Sequence, residues 1–139
     1  MTKKQYMKPG AEKKVLLEHG VRPLKHRVAV YRYLLDNPIH PTADTIYSEL
    51  KNNMSSISRT TVYNVLNLLC SHNVVQEIAI EKNEMRYDAN VTNHIHFKCF
   101  ECGHVYDLHD VTFPTIAVPS GFRIDAVQIN MTGLCPNCS

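Results

Sequence analysis

The chain has 139 residues, enough for one domain or two small ones. Its composition, 44% hydrophobic and 20% charged, excludes a disordered chain. No stretch approaches the ~20 apolar residues of a membrane span, and Met1–Pro9 carries charge without an apolar segment, so neither a membrane anchor nor a secretory signal is expected. The expected location is the cytoplasm, where C-x-x-C pairs bind metal more often than they form disulfides. The net charge of +2 is unevenly spread. Residues 1–90 hold 13 of the 15 Lys and Arg and 9 of the 13 Asp and Glu, net +4, and residues 91–139 hold the rest, net −2. A basic front half is consistent with contact to a polyanion.

The predicted elements begin with a short charged helix at 10–19, with Val15 and Leu16 on its buried side and Gly20 ending it. Residues 25–36 place Val28, Tyr31, Leu34 and Leu35 on one helical face, and Asn37-Pro38 stops the helix. Thr42 is the expected N-cap of a third helix carrying Ala43, Ile46, Tyr47 and Leu50 at helical spacing. Ser58 caps a fourth, running to about His72, with Val62, Val65, Leu66 and Leu69 inward. Its outer face carries Arg59, Thr60, Tyr63, Asn64 and Asn67, hydrogen-bonding side chains with few acids among them. That face suits a helix entering a DNA groove and equally an ordinary solvated surface.

Strands are predicted at Val74–Ile80 and Met85–Tyr87, joined by the polar turn Glu81-Lys-Asn-Glu. Helices followed by a β-hairpin outline a winged helix-turn-helix. Beyond residue 90, strands are expected at His94–Cys99, His104–Asp110, Phe122–Val127 and Ile129–Leu134, with a loop or short helix at 112–119. The boundary is expected near Asp88–Asn93, giving domains 1–88 and 89–139. A back half this short needs staples, and zinc plus dimerisation would supply them.

The strongest spacing signal is a pair of C-x-x-C knuckles, Cys99/Cys102 and Cys135/Cys138, whose four thiolates can close a tetrahedron around structural Zn²⁺. His94 and His96, two apart on a strand, point to one face. Asp107 follows on the expected return strand. A sulfur site and a nitrogen/oxygen site this close suggest one metal that holds and one that senses or reacts.

The chain resembles the ferric uptake regulator family over nearly its whole length. The resemblance rests on Gly20-Val-Arg with Arg27, His40-Pro-Thr-Ala-Asp-Thr-Ile-Tyr, Ser58-Arg-Thr-Thr-Val-Tyr-Asn, Arg86-Tyr-Asp, His94-Ile-His and both knuckles. It implies an α+β fold, an N-terminal winged helix-turn-helix followed by a small zinc-stapled α/β dimerisation domain. It also implies a homodimer acting as a metal-dependent transcriptional repressor on double-stranded operator DNA of palindromic type, with no membrane partner and no enzymatic turnover.

Within the family the chain is most similar to peroxide-response regulators. By that resemblance His40, Asp88, His94, His96 and Asp107 would hold a regulatory Fe²⁺ or Mn²⁺, a donor set that suits these ions. Asp107 points the same way, since iron-uptake regulators commonly place Glu there. Peroxide meeting bound iron would oxidise His40 or His94, and the operator would be released. The alternative is an iron- or zinc-responsive uptake repressor using the same ligands without histidine oxidation. The chain departs from the family at Leu24-Lys25, where a threonine-proline cap is usual, and at Asn67, where a basic residue is common. Two rivals are a small metalloenzyme and a zinc-ribbon module with no sensory metal. His104 and His109 read as surface or supporting residues, and Cys70 as a small core residue. His19, His26 and His72 receive no role.

Overall fold

The computed structural model describes residue 8 and residues 10–80 and 83–139. The charged N-terminal stretch, Lys8 apart, and the first half of the polar turn at 81–84 lie outside the described residues. The chain divides into two compact units, Met1–Val91 and Thr92–Ser139.

The first unit runs α1 (Ala11–Glu18), α2 (Lys25–Asp36), α3 (Ala43–Leu50), α4 (Arg59–Ser71), then the hairpin β1 (Gln76–Ile78) and β2 (Arg86–Asp88). Gly20 ends α1 with φ 77°, and the Val21 N–H returns to the Leu16 carbonyl at 2.8 Å, the wrap that a left-handed glycine permits. The Thr42 hydroxyl accepts from the Thr45 N–H and the Ser58 hydroxyl from the Thr61 N–H, each such cap contributing about 1 kcal/mol. Leu24 gives α2 no side-chain cap.

The inward face of α4 is the predicted one: Val62, Val65, Leu66 and Leu69 are all buried. On α2 the buried residues are Val30, Tyr31, Leu34 and Leu35, while Val28 is only half-buried. This helix packs against α1, α3 and α4 together, so its apolar surface is wider than a single stripe. The strand expected over Val74–Ile80 is shorter. The N–H groups of Val74 and Val75 both turn back to the Leu69 carbonyl, and pairing starts only at Gln76, opposite Asp88. Helices α2 to α4 with this hairpin form a winged helix, preceded by α1.

The second unit holds a three-stranded sheet in the order β4-β3-β5, with β3 at Ile95–Cys99, β4 at Val105–Leu108 and β5 at Ile129–Gly133. Strand β4 runs antiparallel to β3 and β5 runs parallel to it. Helix is therefore confined to the first unit among the described residues, and 112–119 is loop. The strand expected at Phe122–Val127 does not form. Phe122 is 71% exposed and Ile124 45%, and a strand needs a neighbouring backbone, whereas β5 has β3 as its partner. Gly133 sits opposite Cys99, where a Cβ would meet the Phe97 ring at 3.1 Å.

Candidate metal centres and an exposed helix face

The parallel pairing of β3 and β5 brings the ends of both strands to one edge of the sheet. Cys99 ends β3 and Cys135 lies two residues beyond β5, so the two knuckles meet there. The four sulfurs lie within 4.8 Å of one another, Cys102 and Cys135 at 3.9 Å. Zn–S bonds of 2.3 Å in a tetrahedron require sulfurs about 3.8 Å apart, so the thiols fit a zinc ion. None of the five cysteines is in a disulfide.

Their acidities alternate. Backbone N–H groups of Cys102 and Cys135 hold the Cys99 thiol down to about 6, and the Tyr106 hydroxyl, donating to sulfur, lowers Cys135. Cys138 is pushed up to about 12, first by the Cys135 side chain and then by burial. The N–H of His104 draws Cys102 down, but the neighbouring Cys99 thiol and burial outweigh it and Cys102 is raised. Two thiolates therefore form readily and two resist, until a divalent cation supplies the opposing charge. Tyr106 is an outer partner that sequence spacing does not reveal. Its own hydroxyl is raised to about 12, foremost by Cys135, and stays protonated as a donor.

At the other end of β3, His96 stands in register with Asp107 of β4. Asp107 Oδ1 lies 3.0 Å from His94 Nε2 and 3.3 Å from His96 Nε2, and the two imidazole centroids are 4.3 Å apart. His94 Nδ1 faces the Thr92 carbonyl at 2.6 Å and must carry hydrogen there. Its Nε2 then meets a carboxylate oxygen either as imidazolium or with a cation shared between the two lone pairs. These donors fit a hard divalent ion. His109 completes the surroundings, its Nε2 3.9 Å from Asp107 Oδ2 and its ring 5.4 Å from that of His94.

In the first unit, His40 Nε2 and Asp88 Oδ2 lie 3.4 Å apart. The Asn90 N–H donates to the other oxygen of Asp88 at 2.9 Å, which turns Oδ2 toward the imidazole. His40 has φ 56°, in the left-handed region, although Pro41 follows. Three contacts hold that loop to β2: Arg86 Nη1 donates to the His40 carbonyl at 3.1 Å, the Tyr87 N–H donates to the Pro41 carbonyl at 3.0 Å, and Thr42 bridges to Arg86. Arg86 and Asn90 are thus supporting residues, of which only Arg86 stood in a recognised motif.

The outer face of α4 presents Arg59, Thr60, Tyr63, Asn64 and Asn67, all exposed. Beside it runs an open groove of about 450 Å³, lined by Lys25, His26 and Arg27 from the start of α2 and by Thr61 and Asn64 of α4. Lys25 and Arg27 are among the basic residues of the first two helices expected to meet phosphates, whereas His26 carried no expectation and is brought there by the packing of α2 on α4. Cys70 lies half-buried against the core, its thiol pushed up to about 12 by burial and then by the charge of Glu77. His19 and His72 are structural: His19 Nδ1 donates to the Val15 carbonyl and His72 Nδ1 to the His19 carbonyl.

A winged helix joined to a unit with a four-thiol cluster defines a class of metal-binding regulators. Residues 18–132 match the ferric uptake regulator family, and the chain belongs to it. Its members are metal-responsive transcription regulators, not enzymes. The chain is 33% identical over 128 residues to the peroxide operon regulator of Bacillus subtilis, covering 89% of this chain and 88% of that one. It is 38% identical over 127 residues to the peroxide-responsive repressor PerR of Staphylococcus aureus, covering 88% and 86%. Among solved structures, that of PerR from Streptococcus pyogenes matches with a TM-score of 0.53 and 27% identity over 93% of each chain. The ferric uptake regulator Fur of Helicobacter pylori shares the fold with a TM-score of 0.66 at 20% identity, covering 91% of this chain and 87% of that one. No described helix is long and apolar enough to cross a membrane.

Proposed function

We propose that the chain is a dimeric, peroxide-responsive repressor whose hold on operator DNA depends on a regulatory Fe²⁺ or Mn²⁺. The observation that carries this reading is the pair of hard donor sets, His40 with Asp88 and His94 with His96 and Asp107, each fixed by its own supporting bonds. The peroxide-responsive names of its relatives support the sensing role. One ion shared by both sets would tie the winged helix to the second unit in a single arrangement. Metal binding and DNA binding are then thermodynamically linked, each strengthening the other by the same factor. Zn²⁺ at Cys99, Cys102, Cys135 and Cys138 is structural in this reading.

Bound iron would supply the one-electron chemistry that activates peroxide. The chain supplies the target, His40 or His94, whose imidazole gains one oxygen atom at a ring carbon while the second peroxide oxygen leaves as water. An oxidised ring is a poorer donor, and the operator is released. Exposed Val118, Phe122, Ile124 and Met131 of the second unit support a second copy of the chain as partner. Two-fold symmetry would then match a palindromic operator. Arg59, Thr60, Tyr63, Asn64 and Asn67 would face DNA, with Lys25, His26 and Arg27 placed for phosphates.

The test is operator binding by zinc-loaded protein with Fe²⁺ or Mn²⁺, before and after dilute peroxide, with masses of the histidine peptides. Loss of binding in the iron form alone, with one oxygen added at His40 or His94, is the expected result. Unchanged binding and unmodified histidines in both forms would leave the alternative, an iron- or zinc-responsive repressor without histidine oxidation.

A further inference from the structure

Arg59 opens α4, a position where a cation opposes the helix dipole. Two neighbours on α3 hold it there. Its Nη1 donates to Asp44 Oδ1, and its guanidinium carbon lies 4.8 Å from the centroid of the Tyr47 ring. Lys51 Nζ shares the same ring at 5.6 Å. Yet Arg59 and Asp44 are both open to solvent, their side chains 58% and 54% exposed. Asp44 is also an acid beside the helix face that should meet a polyanion. An isolated surface pair of this kind contributes little to stability, so its placement calls for another reason.

We propose that Arg59, oriented by Asp44 and stacked on Tyr47, reads a guanine in the major groove of the operator. This inference rests on the DNA-binding reading above. A guanidinium that only clamps phosphate gains from its full charge, and an adjacent carboxylate cancels that gain. A base edge makes the opposite demand. The O6 and N7 acceptors of guanine are neutral and fixed in space, so a guanidinium meets them best when its plane is already set. The carboxylate sets one edge of the plane and the tyrosine face sets its tilt. Both lie on helix α3, which packs on α4. Arg59 is the reading residue, and Asp44 is a positioning residue acting through it.

The test uses the full chain loaded with zinc and manganese, offered a pool of randomised DNA duplexes. The wild type should enrich a motif containing a G·C pair. Arg59→Ala should lose the preference at that pair, roughly tenfold to a hundredfold, and keep the rest of the motif. Asp44→Asn should weaken the preference at the same pair while affinity for unrelated DNA stays level or rises, because a negative charge has gone. A merely structural role for Asp44 would lower both affinities together. A uniform loss at every site in Arg59→Ala makes Arg59 a phosphate clamp and overturns the proposal. So does a full preference in Asp44→Asn, or a wild-type motif with no G·C pair that Arg59 affects. If the wild type enriches no motif, it is the DNA-binding reading itself that fails.

Discussion

His94 turns its Nδ1 to the carbonyl of Thr92 at 2.6 Å, which settles which ring nitrogen carries hydrogen. Nε2 is thereby presented to Asp107, and a candidate metal ligand is oriented by a backbone group two residues away. Replacing His94 by Ala should lower Mn²⁺ affinity at least about a hundredfold, the upper end of what even an outer partner contributes. Zinc content should not change. Titration calorimetry with Mn²⁺ on the zinc-loaded protein measures the affinity and elemental analysis the zinc, and an unaltered affinity would remove His94 from the ligand set.

Arg86 acts at one remove. Its donation to the His40 carbonyl spans 46 positions of sequence and holds a left-handed loop against β2. A hydrogen bond from a charged donor contributes about 1.5–3 kcal/mol, an upper limit here because Arg86 is only half-buried. Arg86→Ala should therefore keep the fold, lower the melting temperature by a few degrees and weaken Mn²⁺ binding about tenfold. A variant with unchanged Mn²⁺ affinity would show that the clamp is irrelevant to the ligand.

Zinc retention should depend on pH in a set direction. The Cys99 thiol is held down to about 6, so its stabilising contribution is complete above the ordinary range near 9 and is lost as pH falls through about 6. Protons and zinc compete for the same sulfurs. Transfer of zinc to a coloured chelator should be slowest at mildly alkaline pH and steepen below about 6. Tyr106→Phe, which removes the hydroxyl from Cys135, should move the whole profile upward in pH.

Cys70 should behave as a core residue. With its thiol raised to about 12, it stays protonated throughout the neutral range. Alkylation of chelator-treated, still folded protein near pH 8 should label the knuckle cysteines and spare Cys70, as read by peptide mass. Early labelling of Cys70 would show that the first unit opens.

Phe122→Asp tests the second copy. Placing a charge on a ring that is 71% exposed should leave the protomer folded and shift the protein toward monomer by light scattering. A dimer unchanged at micromolar concentration would place the interface elsewhere.

What could be read beforehand was whatever depends on short-range rules. The Thr42 and Ser58 caps and the four-residue inner face of α4 follow from local spacing and held in the fold. Three features depend on distant partners and were not legible. Val30 is buried because three helices surround α2. The segment 122–127 is not a strand because no strand among the described residues pairs with it. The Asp44–Arg59 pair joins residues 15 apart through the turn between α3 and α4. At the candidate metal centres the donor types were expectations from spacing and resemblance. The groups that orient them, the Thr92 carbonyl, the Asn90 N–H and the Tyr106 hydroxyl, were not, because two are main-chain atoms and the third lies across a strand pair.

The parallel registry of β3 and β5 also governs how the second unit comes together. Its central pairing joins residues more than thirty positions apart, Ile95 with Ile129 through Cys99 with Gly133. A contact of such sequence separation must meet its loop-closure entropy before it returns any stability. The antiparallel turn from β3 to β4 can form early, but β5 has nothing local to nucleate on. An ion gripping both knuckles would hold the two strand ends together during that search. Zinc availability would then set the pace of maturation as well as final stability, and a freshly made chain in a zinc-poor cell would wait with its winged helix complete and its sheet unfinished.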